Sequence, residues 1–68
     1  MNTAKNRKRI ATELLEGCPD ESRVDHETIA HAILRGDSPD DILDMPEVDR
    51  WPETYVWLKT ELNTEESH

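Results

Sequence analysis

Cysteine is almost missing from this chain. Cys18 stands alone, so neither an intramolecular disulfide nor a thiolate metal cluster can form, and a reducing cytoplasm is the simplest compartment. Long apolar runs are also missing. The longest reach three or four residues, which excludes a transmembrane span. The basic start lacks the apolar stretch that a secretory signal peptide needs. There is no phenylalanine, and the aromatics are Trp51, Tyr55 and Trp57 alone. Alternating apolar and polar runs and Asn-Gly or Asp-Gly turns are absent, which removes the usual signs of strands. With two glycines in 68 residues there is no phosphate-cradling glycine loop. No Ser-His-Asp set or paired-carboxylate cleft stands out, so the expectation is a protein that is not an enzyme and has no cofactor.

Charge of one sign dominates what is present. Lys5, Arg7, Lys8 and Arg9 give the first ten residues +4, whereas the other 58 carry four basic and sixteen acidic residues, a net −12. A basic arm on an acidic body suggests two surfaces with different partners, although a solvated helix start would look the same. With hydrophobic residues at 34%, the core of so short a chain is modest, and its burial is opposed by an ordering entropy of similar size. Marginal stability, or support from a dimer or another partner, is therefore expected.

Helix signals recur along the chain. Thr3 is placed to cap a first helix over residues 4–16, with Ile10, Leu14 and Leu15 on one side and Gly17 closing it. Cys18 to Arg23 is expected as a loop. The second helix, over 25–35, has Asp25 as N-cap, with Val24 and Ile29 forming a hydrophobic staple around it. Its stripe is Ile29, Ala30, Ile33 and Leu34, and Arg35-Gly36 closes it. Ser38-Pro39-Asp40-Asp41 opens a third helix over 38–45, facing inward through Ile42, Leu43 and Met45, and Pro46 ends it. A fourth helix over 51–63 buries Trp51, Tyr55, Leu58 and Leu62, with Trp57 off that stripe. Residues 64–68 are expected as a disordered polar tail. The fold class is thus all-α, a small bundle of three to four helices, with a basic helix and loop over 1–24 and a helix-turn-helix unit over 25–63. Leu14, Ile29, Ile33, Ile42, Tyr55, Leu58 and Leu62 are the expected centre of its core.

The segment "ILRGDSPDDILDMPEVDRWPETYVWLK", residues 33–59, carries Gly36 after a helix, Ser38 leading the next, Ile42, the Met45-Pro46 turn, and Tyr55, Trp57 and Leu58. In these residues the chain resembles the N-terminal DNA-binding domain of phage terminase small subunits, a homeodomain-like helix-turn-helix family. The resemblance covers about 27 of 68 residues and implies a phage or mobile-element origin, DNA as partner and a core position for Trp57. Between its Tyr and Trp the family usually has a basic residue, where this chain has Val56. The family oligomerises through a downstream segment that has no counterpart in these residues, and a homo-oligomer stays open as a separate expectation.

Two kinds of function follow. As a DNA-binding protein of packaging or regulation, the chain would place Lys5, Arg7, Lys8 and Arg9 on phosphates, with the helix beginning at Pro52 in the major groove. Arg50, Thr54 and Lys59 would be its remaining polar contacts. As an acidic adaptor, inhibitor or DNA mimic it would bind a basic protein surface through Asp40, Asp41, Asp44, Glu47 and Asp49. A basic arm beside residues 52–59 would favour the first reading, and an acidic face there the second. "HETIAH", residues 26–31, is one residue too long for a zinc helix: at i and i+5 the imidazoles diverge by about 140°. No metal site is expected. The same acidic run lacks the spacing and turn glycine of a calcium loop.

Overall fold

Proline and glycine positions set where the helices begin and end. The computed structural model describes the backbone of residues 3–66 and the side chains of 4–63. Five helices account for the fold: α1 (Thr3–Glu16), α2 (Arg23–Arg35), α3 (Pro39–Leu43), α4 (Pro46–Asp49) and α5 (Pro52–Glu66), with a 3₁₀ turn at Asp20–Ser22. The described residues are mostly helical and contain no strand, a small all-α fold. Its radius of gyration is 10.9 Å, which is that of a close-packed chain of this length.

α1 already includes Thr3, whose capping side chain lies outside those described. It presents Ile10, Ala11 and Leu14 to the core, so the basic N-terminal helix belongs to the same packed unit as the rest. α2 starts two residues earlier than the sequence suggests. Pro19 is extended and leads into the 3₁₀ turn, which runs directly into the helix, so Asp25 lies in the first turn rather than at the cap. The expected staple cannot form. Once Val24 is helical it points about 140° from Ile29, and it is 74% exposed. Leu34 is another departure, at 56% exposed. The inward row of α2 is His26, Ile29, Ala30 and Ile33, with Ala32 beside it, and Leu34 lies beyond that row. Gly36 ends the helix at φ 95°, donating to Ile33 O at 3.2 Å, while Asp37 N–H reaches Ala32 O at 3.2 Å. This crossed pair of bonds needs a left-handed residue at Gly36, which glycine adopts without a Cβ penalty.

Ser38 caps α3 as expected, its Oγ accepting from Asp41 N–H at 3.2 Å with Pro39 in the first turn. Pro46 stops α3 but also starts α4, because the ring that cannot continue one helix is preset for the first position of another. The stretch expected as a plain connection is therefore a helical turn that buries Val48 completely. α5 runs to Glu66, past the expected end near Asn63, and residues 67 and 68 of the expected tail lie outside the described residues. Leu58 and Leu62 are fully buried, whereas Tyr55 and Trp57 pack against the core edge half-buried. α1 lies mainly on α2, and α5 closes the other side against α3, α4 and α1.

Candidate functional site

The basic start of α1 is turned partly onto the protein itself. Arg7 is only 9% exposed, and its Nη1 donates to Ile33 O at 3.0 Å, near the negative end of the α2 dipole. The signal was present in the sequence: Arg7, Ile10, Ala11 and Leu14 are spaced i, i+3, i+4, i+7, one helical face. Arg9 donates to Glu13 at 2.9 Å and to Glu61 at 2.8 Å, tying α1 to α5. Lys5 and Lys8 remain on the exposed side of α1. Arg50 and Thr54 are also bonded within the fold, Arg50 from an exposed position and Thr54 from a half-buried one. Arg50 Nη1 donates to both oxygens of Asp25 at 2.9 Å, and Trp51 Nε1 donates to Asp25 Oδ2 at 2.8 Å. The Trp51 hydrogen bond, followed by that from Arg50, holds the Asp25 carboxyl below its ordinary range despite partial desolvation.

His26 is 4% exposed. Its Nδ1 lies 2.8 Å from Ser22 O, and its Nε2 lies 2.9 Å from Thr54 Oγ1. A carbonyl can only accept, so Nδ1 carries a proton, and in the neutral ring Nε2 accepts from the Thr54 hydroxyl. Trp51 stacks obliquely beside it, with ring centroids 6.2 Å apart. Thr54 thus joins α5 to α2. Lys59 is exposed, its Nζ 6.0 Å from the centre of the Tyr55 ring. Asp40, Asp41, Asp44 and Asp49 are exposed and Glu47 is half-buried; none of the five has an ion pair among the described residues. His31 is exposed on the side of α2 away from His26. No group of three His, Cys, Asp or Glu among the described residues could hold a metal ion. No described helix is long and apolar enough to cross a membrane.

An open groove of about 750 Å³ lies where the end of α1 and the 3₁₀ turn face the start of α5. Leu14, Cys18, Pro19, Trp51, Pro52 and Trp57 supply its apolar lining, and Glu13, Glu21 and Glu53 its carboxylates. Along α5 it adjoins a shallower patch that shares Pro52, Glu53 and Trp57 and adds Val56, which is 63% exposed. Trp57 is therefore neither a core residue nor a free one. The sequence did not signal this groove, because its walls, within residues 13–26 and 51–57, are at least 25 residues apart and meet only through packing.

Comparison with known protein families, with characterised proteins and with solved structures finds no match to this chain. The class that the fold itself defines is a small all-α domain.

Proposed function

We propose that this chain is a non-catalytic acidic interaction domain that binds a basic protein surface. The observation that carries the reading is where the charges are spent. Arg7, Arg9, Arg50 and Thr54, four of the seven groups that a DNA reader would use, are occupied by bonds within the fold. Residues 36–49 meanwhile hold six carboxylates and no Lys or Arg, and Asp40, Asp41, Asp44 and Asp49 are exposed there. Affinity for DNA rests largely on neutralised phosphates. Three lysines against a net −8 are a poor source of it.

The terminase-like helix-turn-helix reading keeps one supporting observation: Lys5, Lys8 and Lys59 are exposed. In that reading α2, α3 and α5 are the three helices of a DNA-binding unit. A salt titration separates the two. The acidic-domain reading expects no binding to duplex DNA at about tens of millimolar salt, where phosphate contacts are strongest. It also expects capture of a lysine-rich polypeptide, lost when Asp40, Asp41, Asp44 and Asp49 are changed to Asn. DNA binding that weakens in the K5A/K8A variant would instead establish the DNA reader.

A further inference from the structure

We infer that the groove between the end of α1 and the start of α5 is the seat of an amphipathic, basic helical segment of a partner protein. The inference rests on the basic-partner reading and places its contact away from the Asp40–Asp49 face. Three observations select that occupant. The first is chemical. The groove's apolar lining includes Pro19 and Pro52, which are exposed, and Trp51 and Trp57, which are half-buried, and these would remain wet without a cover. The second is electrostatic. Glu21 and Glu53 stand exposed on the rim without an ion pair among the described residues, and no Lys or Arg lines the groove. A cationic segment is therefore the complementary one. The third concerns polar groups. His26, Ser22 and Thr54 bond to one another or to the backbone, so no orphan donor or acceptor converges there to orient a small polar ligand. The continuation past Trp57 to Val56 gives the surface length along α5, which suits the apolar face of a helix. A second copy of this chain is disfavoured by its net −8 and by the internal pairing of Arg7 and Arg9.

The test uses the full chain and its own fluorescence, because Trp51 and Trp57 are its two tryptophans and both line the groove. The probe is a synthetic amphipathic peptide of leucine and lysine, about four helical turns long. Its controls are a leucine–glutamate peptide of the same pattern and a lysine–serine peptide without an apolar face. A saturable shift in tryptophan emission is expected with the leucine–lysine peptide, at least about tenfold tighter than with either control. Glu21→Lys with Glu53→Lys, and separately Val56→Asp, should each weaken it by about tenfold or more. All three residues are exposed, so thermal melts of the variants should match the parent. Equal binding of the lysine–serine peptide, or full binding to the Glu21→Lys/Glu53→Lys protein, overturns the groove. If binding then falls on neutralising Asp40, Asp41, Asp44 and Asp49, the basic-partner reading stands without it. If no cationic peptide binds, both fall. Sedimentation as a dimer that Val56→Asp dissociates would make the occupant a second copy and overturn the inference.

Discussion

His26 and Arg7 are polar residues whose neighbours make them structural. Replacing His26 by Phe keeps an aromatic ring in place but removes its bond to Ser22 O and leaves the Thr54 hydroxyl without its partner. Each lost bond of this kind costs about 1–3 kcal/mol when its partner stays buried. A denaturant titration should show the loss, and Thr54→Val should cost less because Ser22 keeps its donor. Arg7→Met removes the bond to Ile33 O and should destabilise by about 1–3 kcal/mol, although the substituted side chain is exposed in the sequence-based expectation. An unchanged unfolding midpoint would return Arg7 to the solvent. Asp25 gives a pH dependence. Its carboxyl titrates below the ordinary 3.8 because Trp51 and Arg50 stabilise the anion. Its contribution to stability is thus full above about pH 3.8 and is lost as pH falls through the lower folded value. In acid unfolding, Asp25→Asn should flatten that part of the curve. Equal acid sensitivity in the variant would remove Asp25 from the account.

At the scale of elements, boundaries carry the specificity. Gly36→Ala must place a Cβ at φ 95°, and the strain should cost about 1–2 kcal/mol even though the space is open. Ser38→Ala removes the α3 cap and should cost about 1 kcal/mol. A melt of each variant checks these values. α4 makes a sharper test. Val48 is fully buried, so Val48→Asp should unfold a domain this small, whereas Val24→Asp, on the solvent side of α2, should change stability by less than about 0.5 kcal/mol. A protein that tolerates Val48→Asp would reduce α4 to a loop. Ile33→Ala and Leu58→Ala, both fully buried, should each cost about 2–5 kcal/mol.

For the molecule as a whole, the division of charge decides the partner. Removing residues 1–9 would delete Arg7 and Arg9 along with the lysines, and would loosen α1 from α2 and α5. Any loss of binding in such a truncation would be mixed with unfolding. The substitution K5E/K8E avoids this, since both side chains are exposed. It should leave the melt within about 0.5 kcal/mol. Under the acidic-domain reading it should also leave capture of a cationic peptide intact or stronger, measured at constant salt. Loss of that capture would place the site on α1.

The sequence by itself determined the all-α class, the Ser38 cap, the Gly36 exit and most of the inward faces, because caps and i, i+3, i+4 spacing act over a single turn. Six of the seven expected core residues are buried, and the seventh, Tyr55, sits at the core edge where α5 begins to emerge. Only the tertiary structure decided which charged residues are free. A helical wheel shows that Arg7 and His26 share a face with the core, but not that Ile33 O and Thr54 Oγ1 wait opposite them. The same limit applies to Asp25, whose role depends on Arg50 and Trp51 arriving from a segment 25 residues away. It applies most to the groove, since concavity belongs to the space between helices and no single stretch of chain encodes it.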